Sequence, residues 1–214
     1  QEAQDVIETG RGDLFDEILL LNDLAQKLRA ERFRNGSINF ERDEAKFELD
    51  ENGKPLRVYF KEIKESNQLI EEFMLLANRK VAEFVGRKRK GVQNSDRTFV
   101  YRIHDKPNTD KMAQFRSFVT RFGYQMKAQG NKAVAKEINR LMKKIHGRKE
   151  ENIISTLAIR SMAKATYSTD NIGHYGLAFD YYTHFTSPIR RYPDMMVHRL
   201  LALSLIHISE PTRP

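Results

Sequence analysis

The chain contains no cysteine. That absence excludes disulfides, thiolate nucleophiles and cysteine-ligated zinc. It also fits a reducing compartment, so a cytoplasmic location is expected. No apolar run approaches the roughly 20 residues that a membrane-spanning helix needs, so no membrane association is expected. Gln1 to Asp5 are polar and acidic and do not read as a signal peptide. With no initiator methionine, the start suggests a piece of a longer protein. Carboxylates are sparse where hydrolysis would want them. Metal-assisted cleavage of a phosphodiester takes several carboxylates converging on one or two hard cations. Asp105, Asp110, Asp170, Asp180 and Asp194 are instead scattered singly. Internal repeats, a Ser-His-Asp arrangement and a nucleotide-binding Gly-Lys loop are missing too.

Positive charge is in excess. Lys and Arg number 37 against 29 Asp and Glu, a net charge of +8. Such a balance favours polyanions: nucleic acid, an anionic membrane or an acidic protein. A basic but otherwise ordinary domain is the bland alternative. With 214 residues, 40% of them hydrophobic, one large domain can bury a core.

Periodicity predicts an α+β chain. Leu14, Ile18, Leu21, Leu24, Ala25 and Leu28 recur at helical spacing within 13–32. Short strands are expected at 38–40 and 46–49, and a third at 56–63 after the Asn52-Gly53 hairpin turn. Ser66 is a candidate N-cap for a helix to about Val85, with Leu69, Ile70, Phe73, Ala77, Val81 and Phe84 inward. A buried strand is expected at 98–103, then helices from Thr109 to Gly123, 131–145 and 150–165. Asn171 to Gly176 reads as a loop, and Asp194 as the cap of a last helix. No linker divides the chain, so one α+β unit, a mixed sheet flanked by helices, is the simplest arrangement. Residues 203–214 lose periodicity and carry two prolines. They are expected to be an irregular, foreign tail behind a domain at 1–202.

The densest chemistry lies in Tyr181-Tyr182-Thr183-His184-Phe185-Thr186-Ser187-Pro188-Ile189-Arg190-Arg191-Tyr192-Pro193-Asp194. Arg190 is the leading candidate catalytic residue. A guanidinium holds two phosphate oxygens at once and stays charged at any working pH. At a scissile phosphate it offsets charge that grows in the transition state. Consecutive side chains in an extended loop point to opposite sides, so one arginine faces substrate while the other, Arg191, anchors the loop on a group such as Asp194. A bare Arg-Arg pair reads as surface or ion-paired arginines. Here it sits in a stiff, donor-rich loop before a helix N-terminus, which suits an anion. Thr186, Ser187 and His184 are candidate donors to phosphate or sugar, or else local loop caps. Tyr181, Tyr182, Phe185 and Tyr192 are candidate base-stacking rings, or else core residues. Glu71 and Glu72 flank the helix stripe, Glu71 beside Asn78 and Glu72 beside Arg79. Either pair could bond a ribose or stay solvated. His104-Asp105 reads as a structural turn.

That segment resembles the signature of the RNB catalytic domain of ribonuclease II and ribonuclease R type exoribonucleases. Further matching blocks are 36–40, 70–78, 99–107 and Gly173-His174-Tyr175-Gly176-Leu177-Ala178. The likeness runs from about Gln1 to Leu201, and its details look most like the bacterial ribonuclease R group. It implies an α+β fold forming the C-terminal part of such a domain. It also implies processive 3′→5′ hydrolysis of single-stranded RNA to nucleoside 5′-monophosphates with Mg²⁺. By resemblance Arg190 contacts the scissile phosphate, Phe40 stacks near the 3′-terminal bases, and Glu71 recognises the nucleotide. The family's metal-binding aspartates would lie upstream of Gln1, leaving no metal ligands here and this piece inactive alone. Arg191, Tyr192, Tyr181, His184, Thr186 and Ser187 complete the expected RNA contacts, and no obligate protein partner is indicated. A non-catalytic RNA-binding module, or a basic scaffold for acidic proteins, are the alternatives.

Overall fold

The computed structural model describes residues 2–39, 44–61, 63–87, 98–128 and 130–209. Phe40 lies outside them. In chain order the elements are helices α1 (Glu2–Thr9) and α2 (Phe15–Arg34), strands β1 (Glu44–Leu49) and β2 (Pro55–Lys61), helix α3 (Glu65–Gly86), strand β3 (Tyr101–Ile103), helices α4 (Thr109–Thr120), α5 (Asn131–Ile145) and α6 (Glu151–Ser161), strand β4 (Thr166–Ser168), a 3₁₀ turn at Tyr175–Leu177, and helix α7 (Tyr192–Ser209). The α+β expectation holds. No described helix is long and apolar enough to cross a membrane.

The sequence reads as one unit, but the chain forms two compact ones: residues 1–31 with 40–73, and 32–39 with 74–214. Two of the chain's three crossings between them, at 31/32 and 73/74, fall inside α2 and α3, where no linker marks them. In the first unit β1 and β2 pair antiparallel, with Phe47 opposite Val58 and Ala45 opposite Phe60. Pairing residues on one face follows from the period of two. Asp50 Oδ1 accepts from Asn52 N–H at 2.9 Å and Lys54 N–H at 2.8 Å, and Gly53 takes φ +80°, which closes the hairpin at its Asn-Gly turn. Helix α3 starts one residue before Ser66. Its entry is held by Asn67 Oδ1, which accepts from Lys64 N–H at 3.2 Å, so Ser66 is not the cap.

The second unit holds the larger core. Phe99, Tyr101, Ala82 and Val197 are buried together, with Val81, Val85, Tyr181, Phe185 and Leu200 against them. Tyr181 is thus a packing ring. It also explains Gly86: a Cβ there would sit 2.9 Å from the Tyr181 ring. Helices α4 and α5 both pack on α6 through buried Phe115, Val119, Ile138, Leu141, Ile145 and Ile154. Asn108 caps α4 in place of Thr109, its side chain accepting from Lys111 N–H at 3.0 Å.

Strand β3 organises the site. Its residues Tyr101, Arg102 and Ile103 pair antiparallel with Ser168, Tyr167 and Thr166 of β4. Its other edge is taken by the segment before the Arg-Arg loop, where Arg102 N–H donates to Tyr182 O at 2.9 Å. At the strand end His104 bridges to His174 in the parallel sense, so both senses of pairing meet there. Residues 38–39 form no strand. Helix α7 continues through 203–209, where periodicity predicted irregular chain.

Candidate phosphate-gripping site

The chain enters the site after Tyr182 and turns sharply. Ser187 O accepts from Arg190 N–H at 3.4 Å and from Arg191 N–H at 3.2 Å, and Arg191 O in turn accepts from Asp194 N–H at 3.2 Å. The loop therefore folds directly into α7, with Asp194 in the first helical turn. Asp194 is not a conventional cap. Its buried Oδ2 reaches back to accept from Ser187 N–H at 2.8 Å and from Arg191 Nη2 at 2.8 Å.

This division separates the two arginines. Arg191 is committed to Asp194, with 26% of its side chain exposed. Arg190 is exposed, and its guanidinium has no acceptor among the described residues. The structural reason is a turn over 188–190, not an extended strand.

Asn78, on α3, holds the other end of the loop. It is buried to 3% exposure. Its Oδ1 accepts from Phe185 N–H at 2.9 Å and Thr186 N–H at 3.1 Å, and its Nδ2 donates to Tyr182 Oη at 3.2 Å. One side chain thus satisfies two backbone donors that would otherwise be orphaned. Asn78→Leu is expected to cost about 3 kcal/mol, since each buried donor left unpaired costs about 1–3 kcal/mol. Urea denaturation checks this, and a loss below about 1 kcal/mol would mean that the loop holds itself.

Rings run in a line from the surface inward. Tyr167 stands edge-on to His184 at 5.6 Å, His184 to Tyr182 at 5.8 Å, Tyr182 to His174 at 5.2 Å, and His174 to His104 at 4.9 Å. His104 is fixed as a neutral tautomer: Nε2–H donates to Ala163 O at 2.9 Å, and Nδ1 accepts from Gly176 N–H at 3.0 Å. That confirms the structural reading of His104. Burial lowers the pKa of all three histidines. His174 falls to about 3, through burial and then the neighbouring His104. His184 falls to about 4, through burial and then Arg191, with Arg102 and Arg190 adding smaller repulsion. His104 falls mainly through burial.

A histidine neutral in the fold but titrating normally when unfolded binds its proton first in the unfolded state. The stability it gives is complete above pH 6.5 and drains as pH falls from 6.5 through about 4 for His184 and about 3 for His174. The melting temperature is therefore expected to drop steadily between pH 7 and pH 4.5, and less steeply in His174→Gln. Equal slopes in the two proteins would contradict the account.

The remaining expected contacts are placed as follows. Thr186 Oγ1 is buried without a partner, and Ser187 serves the loop through its backbone. Tyr192 is 66% exposed at the start of α7. Glu71 is exposed on the part of α3 that belongs to the first unit, whereas the loop belongs to the second. Glu72 is buried, 3.7 Å from Arg29 Nη1, so it is not a solvated glutamate. Among the described residues no three His, Asp or Glu side chains stand close enough to hold a metal ion. The described residues do not fit a divalent cation. The exposed Arg190 beside the anchored Arg191 is instead a candidate phosphate grip.

The chain is similar to known proteins over almost its whole length. The RNB domain family matches residues 1–207. Ribonuclease R 1 of Lactococcus lactis is 40% identical over 186 residues, which are 87% of this chain and 22% of that protein. Ribonuclease R of Aquifex aeolicus is 36% identical over 193 residues, 90% of this chain and 26% of that protein. The chain thus spans about a quarter of the length of these curated relatives. Among solved structures, Mycoplasma genitalium RNase R superposes with a TM-score of 0.80 at 26% identity, both in its apo form and in complex with ribose-methylated single-stranded RNA, over 98% of this chain and 32% of that one. A family match running almost end to end leads to one conclusion: the chain belongs to the RNB domain family.

Proposed function

We propose that this chain supplies the phosphate-gripping part of a processive 3′→5′ exoribonuclease that hydrolyses single-stranded RNA to nucleoside 5′-monophosphates. The observation that carries the reading is Arg190. It is an exposed guanidinium without an acceptor among the described residues, on a turn clamped from one side by Asn78 and from the other by Asp194. A turn held in place before the substrate arrives sets where this guanidinium can meet the phosphate as charge develops on it, and that is where preorganised electrostatics has its effect. Family membership and the RNA bound to the Mycoplasma relative support RNA as the polyanion.

Mg²⁺ is the proposed metal, with its aspartate ligands ahead of Gln1 in the relatives' longer chains. Its role would be to activate water and to offset phosphate charge. This chain's residues hold and orient the phosphate, and alone they are expected to bind RNA without cutting it. Phe40 as a stacking ring, Glu71 as a nucleotide contact and a cytoplasmic location belong to the same proposal.

The test is a chimera in which this chain replaces the matching stretch of Lactococcus lactis ribonuclease R 1. Incubated with 5′-labelled single-stranded RNA and Mg²⁺, it is expected to shorten the RNA progressively from the 3′ end. Binding without shortening would favour a non-catalytic RNA-binding module.

A further inference from the structure

We infer that Arg102, Tyr167 and His184 form a second phosphodiester-binding position, next to the one held by Arg190. The inference rests on the RNA reading above and extends it to residues outside the signature loop.

Three pieces of chain meet to build this position. Arg102 and Tyr167 are a cross-strand pair of β3 and β4, and directly opposite residues share a face of the sheet. The other edge of β3 bonds to Tyr182 through Arg102 N–H, and His184 follows two residues later, its ring 5.8 Å from that of Tyr182. The chain then enters the turn that presents Arg190.

The chemistry is all donors. The Arg102 guanidinium lies over the Tyr167 ring, 4.6 Å from its centroid. Stacking holds the planar group without using its N–H fork. No carboxylate or carbonyl among the described residues accepts from that fork, although Arg102 is only partly buried. The Tyr167 hydroxyl is 2.7 Å from His184 Nδ1. A neutral imidazole that accepts at Nδ1 carries its proton on Nε2. That second nitrogen has no partner among the described residues. Tyr167 is 39% exposed, so the position opens to solvent. A guanidinium fork and an imidazole N–H, neither hydrogen-bonded to an acceptor among the described residues, select an anion. Their place beside Arg190 makes that anion an adjoining phosphate of the same RNA strand.

Fluorescence anisotropy of a fluorescein-labelled ten-nucleotide single-stranded RNA, titrated with the 214-residue chain over a salt series, tests the inference. Arg102→Gln is expected to weaken binding about tenfold and to lower the slope of log affinity against log salt by about 0.7, the share of one phosphate on a single strand. Tyr167→Phe keeps the ring but frees His184, and is expected to weaken binding about threefold. Arg11→Gln, an exposed arginine of the other unit, is expected to change affinity less than twofold.

Wild-type binding with an unchanged slope and affinity in Arg102→Gln would overturn the second position and leave the RNA reading standing. A wild type that does not bind would overturn both. Should a variant fail to fold, the wild-type His184 ring nitrogens decide by NMR. Protonation on Nε2, with that signal shifting when the oligonucleotide is added, supports the position. Protonation on Nδ1, or no shift, overturns it.

Discussion

Arg190→Ala in the chimera is expected to lower the rate of RNA shortening about 10²–10³-fold, the usual cost of removing one preorganised donor at a developing oxyanion. RNA affinity is expected to change less than about fivefold, because Arg102 and the basic surface still meet the backbone. The separation follows from the geometry. The Arg190 guanidinium has no acceptor among the described residues, and the backbone bonds to Ser187 O that close the turn remain when it is removed. Arg190→Lys is expected to fall between the two, since an ammonium keeps the charge but not the bidentate fork. Single-turnover rates beside equilibrium binding measure both quantities. A fall in affinity that accounts for the whole loss would make Arg190 a general backbone contact instead of a transition-state contact.

Asp194→Ala is expected to be the most destabilising single change at the site, at about 4 kcal/mol. Breaking a buried ion pair by deleting one partner typically costs about 3–5 kcal/mol, because the other charge is left uncompensated. Asp194 has 0% of its side chain exposed, and the change strands both Arg191 and the Ser187 N–H. Asp194→Asn keeps an acceptor for one of them and is expected to cost about half as much. Urea denaturation gives the stabilities. Shortening by the folded fraction is expected to fall as well, because the same carboxylate fixes the turn that carries Arg190. A cost below about 1 kcal/mol would mean that Arg191 finds another partner and that Asp194 does not organise the loop.

The Arg190 and Arg191 division is legible from neighbouring residues alone, because the partner of Arg191 lies only three positions on. Alternation along an extended loop points to the right split for the wrong reason, since the backbone turns at 188–190. Asn78 is invisible at that range. Its partners stand 104 to 108 positions away, and on the helix pattern it is only a polar residue beside a core stripe. Arg102 and Tyr167 are hidden in the same way, because only the strand register brings them together. Tyr181 reads as a core ring more readily than as a stacking ring, and it packs against the cluster of Phe99 and Val197. Residues 203–209 lose the amphipathic signal, yet Leu203, Ser204 and Leu205 offer no break before Pro211, so the helix carries on to Ser209. At 31/32 and 73/74 the two-unit division leaves no mark in composition because helices carry the chain across it.

The central claim is that this chain grips the phosphate in a 3′→5′ exoribonuclease, and the fate of end labels tests it most directly. The chimera would be given one RNA labelled at its 3′ nucleotide and the same RNA labelled at its 5′ end, with Mg²⁺ and the products separated over time. The expected result is early release of the 3′ label as nucleoside 5′-monophosphate, while the 5′ label persists in steadily shorter chains. A 3′ label that stays in long RNA, or that leaves in internal fragments, would contradict the account.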